Sequence, residues 1–442
     1  MTMRKISAAI SCSLVPLLFF GGSVLAADVR IDGFASFIGG AVLDDDEGGL
    51  MGYSEEDFTF KSDSLYALQI RGDLGDGLSA TAQVVGRGSE DFEAGFEWAF
   101  VSYEINDEWR ISAGKTRVPL YMYSDFLDVG YAYHWISPPQ AVYDMPFSTL
   151  EGVNVEYLTD IGDWTSRLTL VAGATDDPLN IGGELSTLTL RNAVGASWSM
   201  NYDWLTIRGI LLTAKTSLEN ASITGLSSAL ESMDEAFAAG EAVLAALVGG
   251  DALYTVLLGE RSDFDLSDHA ADVLWEDDRG NYAGLAVSVD LEQFIFVAEY
   301  TRVEVADAFL ADLTSYYLSA GWRTGDWTTH LTYSVDDDNE KDTEEEVAAL
   351  IPIHARLQDA GDPGANASID AGVASLNAGR DELIAGVRSA VTSQEWDTKT
   401  WTLGTRWNFH PSAAFKAEYT VSDRKKLNRK PKIINFGVDL VF

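Results

Sequence analysis

Apolar and polar residues alternate with a period of two along most of the chain from Val29 onward. The last ten residues show it most plainly: Ile434, Phe436, Val438, Leu440 and Phe442 share one face, while Asn435, Gly437 and Asp439 fall on the other. Successive side chains of a strand point to opposite sides, so such a segment has one greasy and one polar face. Segments of about ten alternating residues fit strands that cross a bilayer, where a backbone is satisfied only in a helix or a closed barrel. Between them, tight connections rich in Gly, Asp and Asn recur at 73–77, 106–108, 160–163, 201–203, 290–292, 324–326 and 410–412. These residues tolerate positive φ or bond their own backbone. Seven short turns interleaved with eight longer loops make sixteen strands. The expected fold is all-β, a transmembrane antiparallel β-barrel wide enough for a water-filled channel.

Alternation also sorts side chains by face. Trp401, Leu403, Thr405, Trp407 and Phe409 share one side, which sends Thr402, Gly404, Arg406 and Asn408 into the lumen. Phe415, Ala417, Tyr419 and Val421 likewise leave Lys416, Glu418, Thr420 and Ser422 inside. The same parity puts Arg71, Arg87, Arg110, Arg167, Arg191, Arg208 and Arg323 on the inner wall, with Glu97 and Glu299 as inward acids. A charge facing mid-bilayer lipid costs about 2–4 kcal/mol, which favours the inward assignment. Trp109, Trp164, Trp204 and Trp327, near strand ends, fit an interfacial girdle.

Two inserts, 217–278 and 336–397, do not alternate and carry Ala-rich, helix-like stretches. They read as long, partly helical outer loops, the fifth and seventh in order, able to cap the pore mouth. Residues 1–26 begin with Arg4 and Lys5, continue through an apolar stretch interrupted by Pro16 and Gly21, and end in small or apolar residues. That is the pattern of a signal peptide, leaving 27–442 as the barrel. The single cysteine, Cys12, falls within it, so disulfides and thiolate metal sites are not expected in the remainder.

With 69 acidic and 30 basic residues the formal charge is −39. This excess argues against nucleic acid as a partner. No Gly-rich phosphate loop, metal-ligand spacing or catalytic motif stands out, and the five histidines fall in no recognisable arrangement. The chain therefore reads as a non-enzyme with no cofactor and no metal. The basic run 424–432 suits lipopolysaccharide phosphates or anions, and otherwise is a solvated surface.

The connection over 118–149 differs from the other loops. It is rich in Tyr, Phe and Trp and would be poorly solvated in open water, so it should pack against something. In this loop, in the Gly114-Lys115 that precedes it, and in the terminal Phe442, the chain resembles the sixteen-stranded general porins of Gram-negative outer membranes. That resemblance implies a third loop folded into the lumen, with acids facing wall arginines across a constriction. The candidate acids are Asp125, Asp128, Asp144 and, more weakly, Glu151; Arg71, Arg87 and Arg167 are candidates for the opposing wall. It further implies a homotrimer in the bacterial outer membrane, with lipid and lipopolysaccharide around it and both termini in the periplasm. The two long acidic inserts depart from the family's pattern.

The expected function is passive diffusion of small hydrophilic solutes and ions, ordered by a transverse field between loop acids and wall arginines. The rival is a substrate-specific channel in which successive guanidinium groups guide anions such as phosphate or dicarboxylates. A structural barrel whose long loops carry the activity is a third reading.

Overall fold

The computed structural model describes residues 28–43, 49–53, 58–181, 184–225, 274–306, 312–339, 397–425 and 427–442, with isolated residues of 226–273. Sixteen strands form a closed antiparallel barrel in which each pairs with its sequence neighbours and β1 pairs with β16. They are β1 (Asp28–Val42), β2 (Leu65–Gly75), β3 (Leu78–Arg87), β4 (Ala94–Glu104), β5 (Trp109–Arg117), β6 (Thr149–Ile161), β7 (Trp164–Ile181) and β8 (Glu184–Tyr202). The second half comprises β9 (Leu205–Glu219), β10 (Asp278–Asp290), β11 (Phe294–Val305), β12 (Asp312–Thr324), β13 (Trp327–Asn339), β14 (Asp397–His410), β15 (Ala413–Arg424) and β16 (Lys432–Val441).

All seven expected tight turns join strand pairs at one end of the barrel, and the longer connections lie at the other. Positive φ at Asp76, Gly77, Gly162, Asp203 and Gly325 shows why those residue types were needed there. The inserts are shorter than the sequence pattern suggested. Residues 217–219 complete β9 and 336–339 complete β13, because pairing with β8 and β12 continues beyond the point where apolar alternation stops. The fifth loop starts as a helix at 221–225, capped by Asn220, whose side-chain oxygen accepts from the Ile223 amide at 3.0 Å. Most of 226–273, all of 340–396 and the segment 1–26 expected to be a signal peptide lie outside the described residues.

Leu170, Leu211, Leu285, Leu318, Leu331 and Leu403 all stand exposed on the exterior. A continuous outward face of this kind is stable only against hydrocarbon. Aromatic pairs ring the turn end: Trp109 with Tyr157 at 4.5 Å, Trp164 with Tyr202 at 5.2 Å, and Trp327 stacked on Trp407 at 5.3 Å. Amphipathic rings collect at a membrane interface. Phe442 completes closure, exchanging backbone hydrogen bonds with Gly33 at 2.7 and 2.9 Å while its ring lies over the space a Cβ at Gly33 would need.

Candidate pore constriction

The third loop, L3 (118–148), folds into the lumen and forms the molecule's main hydrophobic core there. Leu120, Tyr121, Tyr133, Trp135 and Phe147 are buried against inward residues of β7 to β12. A large apolar side chain gains about 1.5–3 kcal/mol on burial, which is why this aromatic-rich loop does not remain in water.

Polar anchors fix L3 to the wall strand by strand. Arg208 of β9 donates to the Met122 carbonyl at 3.2 Å, and Tyr282 of β10 to that of Leu120 at 2.8 Å. Glu299 of β11 accepts from the Met122 amide at 2.9 Å, from Tyr317 at 2.5 Å and from Tyr143 of the loop. Trp135 donates to Thr332 of β13 at 2.8 Å. Arg406 of β14 donates to the Tyr133 carbonyl at 2.7 Å, and Glu418 of β15 accepts from the Ile136 amide at 2.8 Å. Lys416 donates to the Gly130 carbonyl at 2.6 Å and to that of Trp135. Gly130 can be nothing larger, since a Cβ there would sit 2.3 Å from an oxygen of Asp439. The first loop joins in: Asp63 accepts from Ser137 of L3 at 2.8 Å and from Tyr53 at 2.6 Å, and burial pushes its carboxyl above the usual range.

At its opposite edge L3 meets β3, β4 and β5 through four charges. Asp128 lies 2.8 Å from Arg87 and also pairs with Arg117, while Glu97 lies 2.8 Å from Arg87 and 3.3 Å from Arg117. Arg117 stacks over Trp98 at 4.7 Å. Burial opposes ionisation of Asp128, but Arg117 and Arg87 outweigh it and hold the carboxyl below the ordinary range.

The L3 anchors tie the loop to β9 through β15 on one side of the lumen. Against β2 to β6 lies a polar cavity of about 270 Å3, lined by Gln69, Arg71, Thr81, Arg110, Asn154 and Glu156 on the wall and by Asp125 on the loop. Its arginines are not free. Arg71 lies 3.9 Å from Glu104; Arg110 lies 2.8 Å from Glu104 and 3.3 Å from Glu156; Arg167 lies 3.5 Å from Glu156 and 3.9 Å from Asp125. This is a lattice of alternating charge rather than a run of one sign.

The residues singled out from sequence thus separate into groups. Asp125, Arg71, Arg110 and Arg167 meet at the polar cavity. Asp128, Arg87 and Glu97 form the loop's charged seam, whereas Arg208, Glu299 and Arg406 act as anchors for L3. Arg323 faces the lumen at the turn end, where it pairs with Asp290 at 2.5 Å. Asp144 sits near the loop's end with Gln140 donating to it at 3.4 Å, and partial desolvation pushes its carboxyl up.

Two residues depart from their expected faces. Arg191 points away from the lumen and pairs with Asp176 at 2.8 Å, because a bulge between Arg191 and Val194, with Asn192 at φ 51°, reverses the parity of β8 so that Leu188 and Leu190 face inward. Glu151 falls on the outer face, opposite Lys115 in the register, since Asn154 and Glu156 of the same strand line the cavity. Conversely, Arg117 falls on the outer face by strict alternation, yet turns inward where β5 ends before Pro119. Lys416, Glu418 and Asp439 were legible as inward side chains, but not as partners of L3.

No family model matches the chain, and no curated protein matches it in sequence. Solved outer-membrane barrels do match in structure. An anion-selective porin from Comamonas acidovorans superposes with a TM-score of 0.51 at 12% identity, covering 94% of this chain and 100% of that one. The outer membrane channel DcaP of Acinetobacter baumannii gives 0.50 at 11%, covering 94% and 97%. OmpF of Salmonella typhi, in a complex with daunomycin, gives 0.50 at 10%, with the same coverage. At these identities the likeness is one of fold: a sixteen-stranded porin-type barrel.

Proposed function

We propose that the chain is a passive outer-membrane porin in which L3 narrows the lumen to a polar passage beside β2 to β6 for small hydrophilic solutes and ions. The observation that carries this reading is the Asp125, Arg167, Glu156, Arg110 arrangement, in which a loop acid and wall charges of alternating sign border a polar cavity. Opposed charges across a narrow aqueous gap set up a transverse field that orients water and dipolar solutes at little cost to small ions. Carboxylates pair with Arg71, Arg110 and Arg167, and L3 carbonyls occupy Arg208 and Arg406, which removes the free basic ladder that an anion-specific channel would need, so the general pore is the better reading. The lumen histidines serve packing, with the His134 ring 3.8 Å from Trp135 and its Nε2 3.1 Å from Ser319. The short turns would face the periplasm, and the loop end would face lipopolysaccharide. A homotrimer follows the resemblance; the exposed exterior patch of Phe37, Phe58, Phe60 and Phe436 along β1 and β16 supports lateral packing. Planar-bilayer recording tests the reading: stepwise, weakly selective currents support it, and an absence of conductance removes it.

A further inference from the structure

At the loop end of β8 to β12 the inner wall ceases to be polar. Leu188, Leu190, Leu212, Val303, Val305 and Leu313 point inward and, with Phe147 of L3 and Trp275 at the base of the fifth loop, line a cavity of about 240 Å3 that opens to solvent. Deeper on β9, Arg208 faces the same lumen and is bonded to Ser197 and to L3. The wall therefore changes from guanidinium to aliphatic within two inward positions, Ile210 and Leu212. The inward face of a channel barrel is ordinarily polar, so this apolar stretch is unlike the rest of the wall. An apolar cavity of about 150 Å3 already holds benzene; this one is larger.

The cavity is not uniformly greasy. Asp144 lies on its lining, and among the described residues its carboxylate accepts only from Gln140, at 3.4 Å. The Asp144 side chain is open to solvent at the rim, where an entering ammonium can reach it, and the surrounding protein still pushes its carboxyl up by partial desolvation. A chain of formal charge −39, with acids concentrated in its loops, also gathers cations at the same end.

We propose that this cavity binds a small amphiphilic cation, an organic amine whose apolar body lies against Leu190, Leu212 and Val303 and whose ammonium group meets Asp144. The site stands apart from the polar passage beside β2 to β6 and so does not depend on that passage conducting.

The test is calorimetric titration of the full protein in lipid nanodiscs, with empty discs as blank, using 2-phenylethylammonium, 2-phenylethanol and 3-phenylpropanoate. The cation should bind tightest and the carboxylate weakest. Asp144→Asn should weaken the cation about tenfold, the loss expected for one charge-assisted hydrogen bond, and leave the alcohol unchanged. Ala214→Phe, which fills the cavity, should abolish binding of both in protein that retains the barrel's strand content by circular dichroism. Equal affinity for the three probes, undiminished binding to Ala214→Phe, or no saturable heat with any probe would overturn the proposal.

Discussion

Lys416 Nζ lies 2.8 Å from Asp439 Oδ2 with both side chains wholly buried in the lumen, and the same ammonium holds two backbone carbonyls of L3. Ser36 adds a hydrogen bond to Asp439 at 2.6 Å. A buried ion pair contributes little net stability, but removal of one partner typically costs about 3–5 kcal/mol because the other charge is left uncompensated. Here the pair joins β15, β16 and β1 to L3.

Lys416→Met should therefore release the middle of L3 while the sixteen-strand ladder persists. The expected result is larger and noisier single-channel current, together with new protease cleavage within 128–137. An unchanged current and an uncut loop would show that the other anchors suffice.

The charged seam predicts a specific pH response. Asp128 has a folded value below its ordinary one, so its contribution is fully present above the unfolded value of about 3.9 and is lost as pH falls through the depressed folded value. Protonation of Asp128 should change conductance below about pH 4. Asp128→Asn should remove that acid transition. A transition near neutrality in the wild type would mean that another group controls the loop.

Selectivity should track the cavity charges. Asp125 is about half exposed, so Asp125→Asn should leave stability within about 0.5 kcal/mol and shift the reversal potential toward anions. Arg167→Gln should shift it toward cations. If neither substitution moves the reversal potential in a salt gradient, the passage lies elsewhere.

Glu299 is the most heavily used anchor, accepting from Met122, Tyr143 and Tyr317. Glu299→Leu leaves three buried donors unpaired, at about 1–3 kcal/mol each, so the melting temperature should fall by several degrees and the loop should loosen. An unaltered melting curve would contradict this role.

Most of the barrel was legible because its physics is local. A period of two with Gly, Asp and Asn at the turns fixes strands and faces wherever the backbone stays regular, as in β14 and β15. It failed where regularity breaks: at the β8 bulge that turned Arg191 outward, and at the end of β5, where Arg117 swings in. Pairing across the lumen was not legible. Alternation says that Lys416 and Glu418 point inward, but the carbonyls of L3 that they meet are set by the path of an irregular loop. The wall looked basic for the same reason, since Glu104 and Glu156 neutralise its arginines only once the register brings them together.

Single-channel current of the purified protein in a planar bilayer, with reversal potential under a salt gradient, asks directly whether L3 narrows a general pore. Discrete, weakly selective steps at pH 7 that grow when Lys416 is replaced by Met are the predicted result. No conductance in either protein, or a strong anion preference, would contradict a general pore narrowed by L3.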